Sequence, residues 1–435
     1  MQFTVEPSAL KGGSITVPGD KSISHRALML GAVAEGRTDV SGFLPGQDCL
    51  ATIGALRAMG IQIEHSSDTE VSIHGSGLHG LSDPDAALDL GNSGTAMRLF
   101  AGLLCGQSFS TLLSGDESLN ARPMGRVIEP LTLMGAQIED NDGKPPLRII
   151  GGRQLGGLVY RLPVASAQVK SAILLAGLYA SGEIAVFEAA VTRDHTERML
   201  RSMGVALSQG ESQIMMNGGQ TLKGTDIRVP VDLSSAAFIV LAATLAEGIE
   251  VTITGVGVNP TRTGVLDILR EMGADISLDN VRLYGEEPVA DLNVRPAVLQ
   301  GIMVYPAMVS LAIDEFPLLF VAAACARGKT TFSGIAELRV KESDRIATMA
   351  EGLRALSVSV DETEDGAVIH GGKLYGGTVN SHGDHRVAMS FAIAGTVAEW
   401  AVIIEDTDTV ETSFPGFVDC LQSMGVNIRI SGQPA

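Results

Sequence analysis

Six times along this 435-residue chain an amphipathic run ends in Met-Gly, or its equivalent, and passes at once into alternating apolar and polar residues. The copies span residues 56–63, 131–138, 200–207, 269–276, 353–360 and 421–428, with the turn at Gly60, Gly135, Gly204, Gly273, Ser357 and Gly425. A left-handed residue just past a helix stops it, and glycine adopts that conformation without strain; period-two alternation then fits a half-buried strand. Successive turns lie roughly 70 to 85 residues apart, longer than a solenoid repeat, so each copy predicts a small α/β subdomain.

Six units divide into two lobes of three. Pro230-Val231-Asp232, just ahead of the apolar stretch 234–246, falls between the third and fourth turns and marks a crossover. A strand predicted over residues 14–17 precedes the first helix and is expected to pair with the C-terminal lobe. The predicted division sets residues 21–230 against residues 1–20 with 231–435. Two connections, near 20 and 231, suit hinge closure on a ligand in the cleft between lobes.

The formal net charge of −19 argues against nucleic acid or an anionic membrane as a partner. A hydrophobic fraction of 45% supplies cores for two or three domains at this length. The longest apolar stretches, 236–246 and 316–326, fall short of the roughly 20 residues that span a bilayer and predict buried helices. Residues 1–7 show neither a basic n-region nor an apolar h-region, so a cytoplasmic location is expected. Cys49, Cys105, Cys325 and Cys420 have no close spacing, which points to reduced thiols rather than a zinc site.

Against this acidic background, basic residues gather at predicted loop–helix junctions. Pro18-Gly19-Asp20-Lys21-Ser22-Ile23-Ser24-His25-Arg26 places Lys21 and Arg26 five apart between a turn and the helical run 27–34. Ser22 and Ser24 are the expected caps, and unpaired N–H groups at such a helix start suit an anion. Gly91-Asn92-Ser93-Gly94 allows close approach to backbone N–H groups. In Arg122-Pro123-Met124 the proline suits the first helical position. Ser166-Ala167-Gln168 offers hydrogen bonds ahead of a helix predicted over 171–180. Asp314-Glu315 stands between apolar segments, Lys341 and Arg345 are spaced to share a helix face with Glu342 beside them, and Gly383-Asp384-His385-Arg386 follows. Each motif alone reads as a cap or a solvated charge; together they supply cations for an anionic substrate and carboxylates for proton transfer. Residues 75–80 match a dinucleotide fingerprint in letters only, because the acidic, Pro-containing segment after them begins no helix. Gly328-Lys329-Thr330 lacks the first glycine of a P-loop, and His382 with His385 lacks supporting metal ligands.

Taken in order from residue 18 to 415, and with Ser413-Phe414-Pro415, these motifs resemble the 5-enolpyruvylshikimate-3-phosphate (EPSP) synthase family, the 3-phosphoshikimate 1-carboxyvinyltransferases. The resemblance implies an α/β chain of two lobes, each of three repeated βαβαββ-type units, the inside-out α/β barrel of the enolpyruvyl transferase fold. It implies transfer of the enolpyruvyl group of phosphoenolpyruvate to the 5-hydroxyl of shikimate 3-phosphate, on the route to chorismate and aromatic amino acids. Carried over by motif, Lys21 touches both substrates, and Arg122, Arg345 and Arg386 with Gly94 hold phosphoenolpyruvate. Ser22, Arg26, Ser166, Gln168 and Lys341 hold shikimate 3-phosphate, with Asn92 and Ala167 in the same binding motifs. Asp314 is the implied base for the hydroxyl proton and Glu342 the implied acid for the methylene carbon. No cofactor and no metal is expected, and a monomer is.

Ala167 stands where many members carry a second serine. Together with Arg193-Asp194-His195-Thr196-Glu197 and Asn259-Pro260-Thr261-Arg262 it resembles the family's second class, which implies a contact of Arg193 with shikimate 3-phosphate. Some enzymes of that class tolerate the herbicide glyphosate, often with alanine at the position of Gly94. Thr412 replaces a lysine found near this point in other members. A UDP-N-acetylglucosamine enolpyruvyl transferase shares fold and donor, but its reactive cysteine is missing from residues 115–121. A non-catalytic anion-binding protein leaves Asp314 and Glu342 without a purpose.

Overall fold

The computed structural model describes residues 1–432. Each of the six repeated runs ends a helix: Gln47–Ala58, Gly125–Leu133, His195–Ser202, Gly264–Glu271, Arg345–Ala355 and Phe417–Ser423. Gly60, Gly135, Gly204, Gly273 and Gly425 follow with φ between 86° and 104°, and Ser357 takes the same turn at φ 67°. A left-handed serine is the strained version of that stop. The chain then enters the strands Gln62–Ser67, Gln137–Asn141, Leu207–Gln209, Asp275–Tyr284, Ser359–Thr363 and Asn427–Ser431.

Those strands each form one edge of a four-stranded sheet, and six such sheets account for the described strands. The opposite edge of every sheet is a short strand paired in parallel. Three sheets draw strands from far along the chain. Ile227–Arg228 runs parallel to Glu35–Ser41. Gly13–Ile15 runs parallel to Val251–Gly257, and Gln2–Glu6 lies between Val402–Glu405 and Asn427–Ser431, antiparallel to both.

Contacts divide the chain into two units. One comprises Met1–Pro18, Pro230–Arg282 and Pro288–Ala435. The other comprises Gly19–Val229 with Leu283–Glu287, where Glu286 and Glu287 pair with Arg201 and His195. Apolar helices form the interior of each: Lys21–Ala32, Gly94–Leu104 and Ala167–Gly177 in the unit of residues 19–229, and Leu233–Leu245, Phe316–Cys325 and His385–Val397 in its counterpart. A helix that is apolar on nearly every side stays in water-free surroundings, and these six are buried along almost their whole length. They are also where the chemistry-bearing motifs begin. Among the described residues no single helix is long and apolar enough to cross a membrane.

Candidate active site

In the unit of residues 19–229, Asp20 caps the first interior helix, its Oδ1 accepting from the N–H of Ile23 at 2.8 Å. The expected caps Ser22 and Ser24 lie inside the helix instead, because the carboxylate one residue before it already fills that position. Ser24 Oγ accepts from Leu44 N at 3.1 Å, and the Ser22 carbonyl accepts from Arg26 Nη1 at 2.9 Å. Lys21, the first helical residue, ion-pairs with Asp48. Arg26 is buried, with Nε donating to Thr196 Oγ1 at 2.7 Å and Nη2 to Ser171 Oγ at 2.8 Å. Burial lowers its pKa to about 10, with Glu197 opposing and the charge of Arg193 adding to the shift. Arg193 stands half-buried in the loop ahead of His195–Ser202.

Ser93 caps the second interior helix (Oγ from Ala96 N, 3.1 Å), so Gly94 is its first residue. Asn92 Oδ1 accepts from Arg122 Nη2 at 2.6 Å while its amide donates to Asp116 at 2.7 Å. Arg98 Nη1 donates to the Gly94 carbonyl at 3.1 Å and to Gln168 Oε1 at 3.0 Å, and Gln168 donates on to Thr95 Oγ1 at 2.9 Å. Asn92, Gly94, Arg122 and Gln168 are thereby gathered at the starts of two helices. Ser166 caps the third, which begins at Ala167 rather than at 171, since the serine hydroxyl takes the Val169 N–H at 3.3 Å. Pro123 lies outside the helix Gly125–Leu133. Arg122 N still bonds back to Leu119 O, and Met124 N is taken by Gly143 O, so winding starts only afterwards.

In the other unit, Asp384 and Glu315 occupy the cap positions of two interior helices. Lys341 and Glu342 do not share a helix face with Arg345: Asp344 caps the helix at Arg345 (Ala347 N to Oδ1, 3.0 Å), leaving 341–344 as a loop. The loop brings the groups together all the same. Arg345, whose side chain is 1% exposed, reaches Glu342 Oε2 at 2.6 Å, Asp384 Oδ2 at 2.7 Å and Asp314 Oδ1 at 3.7 Å. Lys341 Nζ lies 3.5 Å from the same Asp314 oxygen. Burial works against the Arg345 charge, but Asp384, Glu342 and Asp314 outweigh it and hold the guanidinium above its usual range. Glu315 points to the other side: it accepts from Ser234 Oγ, faces Arg386 Nη1 at 3.5 Å and Arg262 Nη2 at 4.0 Å. Consecutive carboxylates thus hold separate cations.

Glu315, Asp384, Arg98 and Asp48 are absent from the set inferred by motif. Asp384 was detectable as an acidic residue one position before an apolar helix, whereas nothing in the local sequence links Asp48 to Lys21. Lys329–Phe332 is a strand and residues 77–80 a turn, so neither phosphate-loop imitation starts a helix. His382 lies near Glu351 at 3.7 Å, and His385 Nε2 bonds Ser413 Oγ at 3.1 Å. No group of His, Cys, Asp or Glu able to hold a metal ion occurs among the described residues.

Interior helices that start in clustered cations and carboxylates, with three four-stranded sheets in each unit, define the fold class of the enolpyruvyl transferases. The enolpyruvyl transferase NikO from Streptomyces tendae matches over 100% of this chain and 99% of its own, with a TM-score of 0.81 at 16% identity. The chain belongs to the EPSP synthase (3-phosphoshikimate 1-carboxyvinyltransferase) family, whose family model matches residues 5–421. The 3-phosphoshikimate 1-carboxyvinyltransferase of Alkalilimnicola ehrlichii is 58% identical over 98% of this chain and 96% of its own length. That of Methylococcus capsulatus is 55% identical over 99% and 98%. The EPSP synthase of Acinetobacter baumannii superposes with a TM-score of 0.89 at 51% identity, covering 99% of this chain and 100% of that one.

Proposed function

We propose that this chain transfers the enolpyruvyl group of phosphoenolpyruvate to the 5-hydroxyl of shikimate 3-phosphate and releases inorganic phosphate. Family membership over nearly the full length supports the reading. The observation that carries it is the packing of Asp314, Glu342 and Asp384 around the buried Arg345 guanidinium, with Lys341 beside Asp314. In this scheme Glu342 delivers a proton to the methylene carbon of phosphoenolpyruvate, making C2 electrophilic. Asp314 takes the hydroxyl proton as the oxygen bonds to C2. The bond from C2 to the phosphate oxygen then breaks, the phosphate leaving with the proton held by Asp314, while the Glu342 carboxylate takes back a methyl proton and the enol ether remains. Arg122, Arg345 and Arg386 neutralise the carboxylate and phosphate of the donor, and Lys21 serves both substrates. Charge-assisted hydrogen bonds contribute about 1.5–3 kcal/mol each, so a few of them suffice to orient a small trianion.

Ser22, Arg26, Asn92, Ser166, Ala167, Gln168, Arg193 and Lys341 are assigned to shikimate 3-phosphate and its neighbourhood, with Gly94 leaving room for the donor. The connections near residues 20 and 231 are assigned as hinges that close the lobes on both substrates. No cofactor enters the scheme. A monomer in the cytoplasm is the setting we assign, and four free cysteines suit a reducing compartment. Phosphate release from phosphoenolpyruvate is measured with shikimate 3-phosphate or UDP-N-acetylglucosamine as acceptor. Release with the first alone is expected; release with the second alone, or with neither, overturns the reading.

A further inference from the structure

A buried charge cluster stands apart from every role assigned above. Lys170 follows Ser166-Ala167-Gln168 on the helix Ala167–Gly177, and its side chain is 0% exposed. The ammonium lies 2.7 Å from Glu197 Oε1, 3.0 Å from Glu188 Oε2 and 3.4 Å from the Thr192 carbonyl. Thr192 Oγ1 in turn donates to Glu188. A cation this deep persists only with partners, because the penalty of removing it from water is several kcal/mol. Burial disfavours the charge, yet the two carboxylates prevail and raise the Lys170 pKa, while burial raises that of Glu197.

What the ammonium grips is a loop. Glu188 closes the strand Ser181–Phe187, Glu197 sits in the first turn of His195–Ser202, and Thr192 lies between them, next to Arg193. One side chain therefore holds the segment before, within and after its bend. The adjoining residue on each helix, Ser171 after Lys170 and Thr196 before Glu197, repeats the link: Ser171 Oγ and Thr196 Oγ1 are 2.7 Å apart, and Arg26 donates to both. The rungs 170–197 and 171–196 tie Arg26 and the Arg193 loop to the helix that begins at Ser166-Ala167-Gln168.

We infer that Lys170, Glu188 and Glu197 are positioning residues that lock Arg193 and Arg26 in register with Ser166-Ala167-Gln168, and so set affinity for the phosphorylated, hydroxyl-bearing acceptor rather than for the enolpyruvyl donor. The inference rests on the proposed function. Lys170→Met strands two buried carboxylates and threatens folding, so the test uses Glu188→Gln and Thr192→Val, which loosen the loop while keeping the Lys170–Glu197 pair. KM for shikimate 3-phosphate rises about tenfold in each, and KM for phosphoenolpyruvate changes less than about threefold. Crossed with Arg193→Ala, each becomes non-additive, the double variant being scarcely worse than Arg193→Ala alone; a merely structural role yields additive effects. Unchanged KM for the acceptor in folded variants, equal rises for both substrates, or additivity overturns the inference while leaving the wild-type reaction standing. A wild-type chain that releases no phosphate overturns the reading beneath it, and the inference with it.

Discussion

Glu342 accepts a hydrogen bond from Arg345 while remaining 24% exposed, so a substrate has access to a carboxyl whose orientation the buried guanidinium sets. Glu342→Gln keeps the size and an acceptor oxygen but removes the transferable proton. Substrate binding by calorimetry is expected to survive, and kcat to fall about 10²- to 10⁴-fold, the range of general acid catalysis; full turnover removes the assignment. Gly94 presents a different constraint. A Cβ added there sits 2.8 Å from Arg98 Nη1 and 3.0 Å from Arg122 Nη1. Both are ends of flexible side chains, so Gly94→Ala folds, yet the guanidinium assigned to the donor has to move. We expect KM for phosphoenolpyruvate to rise about tenfold and KM for the acceptor to stay within about twofold, read from steady-state kinetics.

Helix starts are the elements at which the residues assigned to the reaction gather. His25, inside the first of them, joins two others: Nδ1 lies 2.8 Å from Thr52 Oγ1 on Gln47–Ala58, and Nε2 lies 3.4 Å from Ser93 Oγ, the cap of Gly94–Leu104. Burial lowers its pKa from 6.5 to about 3. The unfolded chain therefore binds a proton in this window that the folded chain refuses, so the contribution is whole above about pH 6.5 and is lost as pH falls toward about 3. Unfolding midpoints measured from pH 7 to 4 fall for the wild-type chain, and the slope is shallower for His25→Gln; equal slopes refute the role. Much at this scale was legible beforehand. All six Met-Gly-type stops end helices, because their signal lies within a few residues, and the two apolar stretches are buried helices for the same local reason. The start of the helix at Arg345 was not. Lys341 and Arg345 have helical spacing, but Asp344 between them captures an N–H and resets the first turn. Contacts such as Lys21 with Asp48, or Lys170 with Glu188 and Glu197, depend on which helices become neighbours, which spacing along the chain does not encode.

At the scale of the whole molecule, the two units differ in how the chain supplies them. One is a single run, Gly19–Val229, joined only by the short stretch Leu283–Glu287, whereas the other is assembled from three separated stretches and has Gln2–Glu6 inside a sheet. Phe3 on that strand is 1% exposed and stacks on Phe417 with ring centroids 6.5 Å apart. Phe3→Ala is expected to destabilise by about 3–5 kcal/mol, as truncation of a buried aromatic does. Far-ultraviolet circular dichroism during urea unfolding reads the loss as a lower midpoint.

The same strand imposes an order on biosynthesis. Gln2–Glu6 leaves the ribosome before either of its partners exists, because Val402–Glu405 and Asn427–Ser431 are both translated far later. Residues 19–229 have all their own strands once Arg228 is translated, so their sheets can form while the earliest strand is still solitary, its Phe3 and Val5 uncovered. Until Val402–Glu405 and Asn427–Ser431 follow, the nascent chain thus carries an uncovered apolar strand that its own fold does not yet shield.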